Sequence, residues 1–167
     1  MSGKDSKIIG IEPYKYVHIL DVNTNITFLA VGPQNLVLSE NQKLVAGPSP
    51  FVKLAPGHYT TVINPIDRRK PIEQGKPYHL RHGFREVRLA NASPFPLYPG
   101  EVLEGVPKAI KKLPVVPENH AIHLEAIMDY EDEESGVRRQ AGDQWQLKGP
   151  RTYIPVSYTH LTLPTKA

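Results

Sequence analysis

The chain has 167 residues with 20 Lys and Arg, 17 Asp and Glu, no Cys and a net charge of +3 at pH 7. The lack of cysteine excludes disulfides and any Cys-ligated metal site in this sequence, which fits a reducing compartment. The first residues are polar and charged, and no apolar run reaches the roughly 20 residues that a bilayer requires, so we expect no leader peptide and a soluble, intracellular protein. The basic runs are short, and such runs are usually solvated surface, so no direct nucleic-acid or membrane partner is expected.

Short β-prone runs dominate the chain, because 17 prolines and 12 glycines interrupt every window that could hold a long amphipathic helix. The segment 118–128 could compete as a helix, but it repeats a phrase that is β-like elsewhere, so we predict a strand there. Around 85–89 polar and apolar residues alternate, as in a strand with one solvated face. In chain order, the pattern predicts strands at 16–20, 26–31, 35–38, 43–45, 51–54, 59–63 and 85–89.

One phrase occurs three times. It opens on proline, places Tyr or His three residues later, continues with aliphatic and β-branched residues, and closes on Asp, Asn or Glu. A Gly-Pro pair that precedes an apolar run also recurs. Self-similarity of this kind predicts repeat units, which usually serve as scaffolds, walls or binding surfaces. The defining positions are Pro13, Tyr16 and Asp21; Pro56, Tyr59 and Asn64; Pro117, His120 and Glu125; and the pairs Gly32 with Pro33 and Gly149 with Pro150.

The phrases divide the chain into units, for which we predict the bounds 1–54, 55–111 and 112–155. Their unequal spacing predicts insertions between units. Proline lacks an N–H, so we expect each opening proline at the first position of a strand. Small sheets of this kind leave strand edges exposed, and exposed edges pair readily with another chain. The sequence therefore predicts an all-β protein of tandem small antiparallel sheets in an elongated array.

Six stretches follow one another in the order of a known family and resemble it in sequence: 16–21, 58–59 with 62–65, 94–103, 123–126, 141–145 and 149–155. In them the chain resembles the amino-terminal repeats of the major vault protein family. The resemblance covers almost everything from Ile8 to Pro155. It implies repeats of the vault type and a structural, non-enzymatic role: a shell-wall subunit that self-assembles side by side into the vault ribonucleoprotein particle.

The resemblance also implies where the chain lies. It places the fragment near the waist of the particle, with residues 1–11 and the first unit meeting the opposite half-shell. The implied partners are copies of the same chain and the other vault components, and the implied location is the cytoplasm and also the nucleus. The alternative is a small β-rich adaptor that captures extended peptides or proteins at a sheet edge.

Residues 156–167 resemble an in-frame translation of a transposon-end adapter used in sequencing libraries. The family resemblance stops at Pro155, immediately before them. We therefore expect this tail to be non-native and exclude it from the predicted fold. The alternative is a genuine polar β tail.

An acidic run supplies the weak candidates for a cation site: Asp129, Glu131, Asp132 and Glu133. The run does not match an EF-hand, because Glu134 stands where that loop requires Gly and Gln140 where it requires Glu. A charged hairpin turn is the favoured interpretation.

No other pattern indicates chemistry. The histidine pairs 79/82 and 120/123 have a spacing that puts them on opposite faces of a strand, so we expect no joint metal ligation. His18, His58 and His120 lie in the repeated phrases and should pack or hydrogen-bond within their units. No nucleophile elbow or phosphate-binding loop is present, so neither an enzyme nor a cofactor is predicted. For the one tryptophan, Trp145, we favour a core anchor in the third unit over an interface anchor.

Overall fold

The computed structural model describes residues 7–162 and 165–166, and all regular elements in these ranges are β-strands. They form several small sheets with antiparallel pairing throughout, so the predicted all-β array of small antiparallel sheets is confirmed. No helix in the described ranges has the length and apolarity to cross a membrane. The strands are β1 Lys7–Ile11, β2 Lys15–Asp21, β3 Ile26–Val31, β4 Gln34–Leu38, β5 Gln42–Pro50, β6 His58–Ile63, β7 Arg85–Leu89, β8 Val102–Leu103, β9 Lys111–Lys112, β10 Val115–Val116, β11 His120–Ala126, β12 Tyr130–Asp132, β13 Val137–Arg139, β14 Gln144–Lys148, β15 Arg151–Thr152, β16 Thr159–Leu161 and β17 Thr165–Lys166.

Each of the three units is built on a central strand with partners on both sides. In the first unit β2 lies between β3 and β5, and in the second β6 lies between β7 and the short strands β8 and β9. In the third β11 lies between β14 and the short strands β16 and β17. Two-stranded ladders, β1 with β4 and β10 with β15, accompany the first and third units. The same plan is therefore used three times.

The central strands carry the cores, because alternate side chains point away from solvent. Val17 and Ile19 are completely buried in β2, and Ile122 and Leu124 occupy the matching places in β11. An apolar cluster surrounds each of these pairs. Fully burying a side chain of this size contributes about 1.5–3 kcal/mol, so these few positions supply much of what holds such small units together.

A tight turn precedes each central strand and fixes its register. Tyr14, Gly57 and Asn119 have φ of 57°, 77° and 62°, the left-handed region that glycine and asparagine tolerate best. The N–H of the following residue donates back to the carbonyl three residues earlier, at 3.1–3.2 Å, in all three turns. The residues that begin the strands, Lys15, His58 and His120, are therefore equivalent.

This equivalence corrects the predicted alignment of the third phrase. Pro117 matches Glu12 and Ala55 instead of Pro13 and Pro56, so the third phrase is shifted by one residue. The opening prolines also precede the strands and do not occupy their first positions. The positive-φ residue, and not the proline, marks the start of each unit's central strand.

Gly32 and Gly149 lie at matching points of the first and third units. A β-carbon on Gly32 would overlap the carbonyl oxygen of Glu12, and one on Gly149 would overlap that of Pro117. Each glycine also donates its N–H at 2.9 Å to the first residue of its central strand. The close approach of two backbones explains why glycine stands at both places.

Most predicted strands are present, but the segment 51–54 is not a strand. It holds one isolated bridge, in which Val52 and Phe95 exchange two backbone hydrogen bonds of 2.8 and 3.1 Å. This bridge takes the place of the β1–β4 ladder in the second unit.

The segment after Pro155 is part of the fold, contrary to its exclusion from the prediction. Strands β16 and β17 pair with β11 on the side that β5 and β8 occupy in the other units. Leu163, Pro164 and Ala167 lie outside the described residues, as do residues 1–6 of the predicted amino-terminal contact segment. The non-native origin of the tail stays a prediction.

Hydrogen bonds connect successive units. His18 Nε2 lies 2.7 Å from the carbonyl oxygen of Leu97. The edge strand β3 donates the N–H of Leu29 to the Tyr78 hydroxyl at 3.0 Å. The corresponding residue of β7, Val87, donates its N–H to Ser157 Oγ at 2.9 Å. The outward N–H groups of two edge strands are thus bonded to side chains from later in the chain.

Truncating a central-strand side chain should destabilise the protein far more than truncating an exposed one. We expect Ile19→Ala to lower the free energy of unfolding by about 2–5 kcal/mol, because it leaves a cavity in a closed core. The control Val45→Ala, at a half-exposed site on β5, should change it by less than about 0.5 kcal/mol. Urea denaturation followed by circular dichroism measures both, and equal effects would contradict the central role of β2.

Candidate functional site

The acidic run forms a charged hairpin, β12 and β13, as favoured from the sequence. Asp132 Oδ1 accepts the N–H of Glu134 at 3.1 Å, and its Oδ2 accepts the Ser135 hydroxyl at 2.7 Å. Asp129 Oδ1 accepts the N–H of Ala141 at 2.9 Å. The carboxylates of both aspartates therefore stabilise the local turns by accepting hydrogen bonds.

The cation-site candidates are not brought together. Asp129 and Asp132 bind backbone, while Glu131 and Glu133 are exposed. Across residues 7–162 and 165–166, no group of three or more His, Asp or Glu side chains is gathered to hold a metal ion.

Two opposing influences act on the carboxyl of Asp132. Its burial raises the pKa, but hydrogen bonds from Ser135, from the backbone of Glu134 and Ser135, and from Arg139 together outweigh burial. The net result is a pKa below the ordinary value of 3.8. Arg139 contributes through its Nη2, which lies 3.4 Å from Asp132 Oδ2.

A groove of about 630 Å³ lies beside this hairpin in the third unit. Arg139 stacks on Trp145, with 4.1 Å between the guanidinium carbon and the ring centroid. Burial, with smaller contributions from Asp132 and Tyr153, raises the pKa of Tyr130 to about 12, so this phenol stays neutral at physiological pH. The aromatic residues that line the groove are Tyr130, Trp145, Tyr153 and Tyr158.

Trp145 is half-buried and packs against the apolar cluster of the third unit. The cluster residue Leu124 lies directly opposite it on β11. The structure therefore places Trp145 where a core anchor of the third unit belongs.

The second unit buries a polar network beside its apolar residue Val62. Glu101 is buried, and its carboxylate accepts the N–H groups of Ile66 at 3.0 Å and Tyr98 at 2.8 Å. Arg88 Nη2 lies 3.3 Å from the same carboxylate, and its guanidinium also stacks on Phe95. This network joins the central sheet to the segment that contains Phe95.

Sequence reasoning missed this network. The alternation around 85–89 predicted a solvated polar face, but Arg88 is 7% exposed, so that interpretation is wrong at this position. The opposite residue on β6 is Thr60, also fully buried, whose hydroxyl donates to the carbonyl of Ala109 at 2.8 Å. A threonine in a central-strand core position was the available signal that this unit buries polar groups.

The histidines of the repeated phrases have two different roles. His58 Nδ1 and His120 Nδ1 lie 3.1 and 3.0 Å from the carbonyl oxygens of Pro56 and Glu118, each two residues back. His18 instead contacts the second unit through Leu97. The prediction that these histidines pack or hydrogen-bond within their units holds for His58 and His120, and His18 also packs within its own unit, with 5.4 Å between its ring centroid and that of Tyr16.

Three sheets of one plan, connected in series by hydrogen bonds, define a β-repeat protein. Comparison with family models identifies the repeat. Residues 114–156 match the Vault model and residues 51–106 match a second model, and both are described as the Major Vault Protein repeat domain. The chain belongs to the major vault protein repeat family, as the resemblance predicted.

Curated relatives agree. "Major vault protein" of Pongo abelii is 45% identical over 152 residues, covering 89% of this chain and 16% of the relative. The protein of the same name from Homo sapiens is 44% identical over 152 residues, with coverage of 89% and 16%. That from Strongylocentrotus purpuratus is 40% identical over 158 residues, with coverage of 92% and 18%. The chain thus spans less than a fifth of the length of these relatives, and none of the matches is to a catalytic family.

Removing the buried cation of the second unit should be costly. We expect Arg88→Met to lower the free energy of unfolding by about 3 kcal/mol, because it leaves the Glu101 carboxylate buried without its partner. In the control Arg151→Met, which loses an ion pair to Glu134 between side chains that are 40% and 65% exposed, the change should stay below about 1 kcal/mol. Urea titration measures the free energy of unfolding of both variants, and a smaller loss for Arg88→Met than for Arg151→Met would contradict the role of the network.

The hairpin carboxylate should give the protein part of its acid sensitivity. Since folding lowers the pKa of Asp132, its ionised form stabilises the folded state above the ordinary pKa of 3.8, and this stabilisation is lost as pH falls through the lowered pKa. The stability difference between the native chain and Asp132→Asn should therefore shrink on acidification. Urea titrations from about pH 7 to about pH 2 test this.

Glu133→Gln is the matched control, because Glu133 is an exposed carboxylate on the same hairpin. We expect Glu133→Gln to follow the native pH profile. A constant offset for Asp132→Asn across the whole pH range would show that its carboxylate has no such linkage.

Proposed function

We propose that this chain is a segment of the wall of a vault-type shell, acting as a structural subunit by lateral self-assembly. The observation that carries the proposal is the same sheet plan repeated in three connected units. The relatives named Major vault protein support a structural role of this kind.

The connections between units favour a stiff array. Leu29 and Val87 are equivalent positions of edge strands, because each faces the fourth residue of its central strand. Each donates its outward N–H to a side-chain hydroxyl from a later part of the chain. Edge strands blunted in this way resist indiscriminate pairing, which leaves side-chain surfaces for ordered assembly.

The outer side of the two-stranded ladders suits contact with a neighbouring copy. Ile8 and Val37 lie directly opposite each other on β1 and β4, and both are more than half exposed. In the third unit Val115 and Ile154 are similarly exposed, and Ile154 occupies the place of Val37 relative to the Gly-Pro pair. Exposed apolar patches at matching places of two units fit a lateral contact with a neighbouring copy.

Charge patterning would then set the register between copies. The insertion after β6, at 64–84, has five Lys and Arg against two Asp and Glu. The corresponding insertion after β11, at 127–143, has six Asp and Glu against two Arg. Insertions of opposite charge at equivalent places of successive units make the interaction energy between two copies depend on their register, because opposite charges attract and like charges repel.

We further propose that the chain lies near the waist of the particle, with residues 1–11 meeting the opposite half-shell. The order of the family phrases in this sequence supports that placement. The assembled shell would hold the other vault components and reside in the cytoplasm and also in the nucleus.

Co-assembly tests the proposal. A tagged copy of the full chain is expressed together with a full-length relative, and the extract is separated on a sucrose gradient. We expect the chain to sediment with the large particles. The double variant Val37→Lys with Ile154→Lys should enter them at least about tenfold less, because it places charges in a desolvated contact.

Ile72→Lys is the matched control, since Ile72 is equally exposed but lies in the insertion of the second unit. Both variants should keep the native circular dichroism spectrum. Exclusion of the unmodified chain from every particle fraction would overturn the wall role. The adaptor alternative would then lead, and it predicts a monomer whose size does not change with concentration.

A further inference from the structure

In each small sheet, one edge of the central strand pairs with the hairpin partner and the other edge pairs with a further strand. This further strand has a feature that is common to all three units and that the proposed function does not use. It carries a leucine that faces a buried core residue of the central strand. The facing pairs are Leu44 with Ile19, Leu103 with Val62 and Leu161 with Leu124. The strand at this edge therefore places leucine at the same position in all three units.

In the third unit this position is occupied by a very short segment. Its main chain is held by hydrogen bonds from Thr162 N to the His123 carbonyl at 3.0 Å and from Ile127 N to the Tyr158 carbonyl at 2.9 Å. Leu161 packs on the apolar cluster around Leu124. These contacts are the ordinary contacts of an added β-strand.

A hydroxyl contact adds a second point of recognition. Thr159 is buried, and its Oγ1 lies 3.0 Å from the Tyr153 hydroxyl, which is buried as well. Thr159 faces Ala126, whose small side chain leaves room for it. The edge of β11 therefore contacts a threonine and a leucine that are two residues apart in the added strand.

The strand at this edge is held more firmly in the first unit than in the third. In the first unit β5 is one continuous strand of nine residues that pairs along β2, whereas in the third unit two separate short strands cover this edge, β16 with three residues and β17 with two. A ladder this short is held by few backbone hydrogen bonds and opens at low free-energy cost. The β11 edge can therefore exchange its occupant more readily than the β2 edge.

We propose that the edge of β11 is an acceptor site for an extended peptide strand with the pattern Thr-x-Leu, and that residues 158–162 are its occupant within this chain. The acceptor property belongs to β11 and its cluster, so a separate peptide with the same pattern binds when the resident segment is displaced. Main-chain pairing supplies the affinity, and the pockets for threonine and leucine supply the specificity. This inference does not depend on the wall role.

The test uses the full chain with Leu161→Asp, which places a charge against the apolar cluster and so displaces the segment. Hydrogen exchange at the Ile127 amide should become about tenfold faster or more, because its partner on Tyr158 is lost. The amide of Ala126, which donates to Asp143 on the other side, reports that the rest of the unit stays folded. Adding a synthetic peptide of residues 156–162 should restore the slow exchange of Ile127.

Two controls accompany the peptide. His160→Asp changes an exposed residue of the same strand and should leave the exchange rate of Ile127 unchanged. A peptide carrying Asp in place of Leu161 should not restore protection. If Leu161→Asp unfolds the unit, seen as fast exchange at Ala126, the milder Leu161→Ala replaces it in the same titration. A folded variant whose Ile127 exchange does not respond to excess peptide overturns the proposal.

Discussion

The constraint on which the whole structure depends is that one strand per unit must be covered on both edges. Val17, Ile19, Ile122 and Leu124 become inaccessible to water because each central strand lies between two partners and because side chains from outside the central sheet cover its face. No helix covers the sheets within the described residues. A pair of strands this short would be marginal alone, so each unit needs its third strand and its contacts with the next unit.

The second unit satisfies the same constraint with different chemistry. Where its neighbours have apolar clusters, it buries Thr60, Arg88 and Glu101. A buried ion pair is rarely a net source of stability compared with apolar packing. Glu101 binds the backbone at two separate points of the chain. In the middle unit, the buried carboxylate of Glu101 therefore helps to hold the long insertion, and this insertion provides Tyr78 to the first unit.

The sequence was sufficient to predict the family and to predict those strands whose apolar and polar side chains alternate clearly. Strand β3 begins and ends at its predicted residues, and β2, β6 and β7 differ by at most one residue at either end. The third phrase was aligned one residue out because proline was taken as its marker, whereas the left-handed residue Asn119 fixes the register. Arg88 was assigned to solvent because a pattern of alternation does not show which side a later segment covers. The site contacts of Tyr78 and Ser157 join residues far apart in sequence and have no local signal.

The insertions between the central strand and its hairpin partner have a practical consequence. The first unit closes this gap with the tight turn 22–25, in which Asp21 accepts the N–H groups of Asn23 and Thr24. The other two units hold far longer segments at the equivalent point without changing the register of the strands on either side. Lengthening a loop costs little, about 0.6 kcal/mol for each doubling. The turn at 22–25 is therefore a natural graft point at which a foreign sequence can be displayed while the strand framework stays intact.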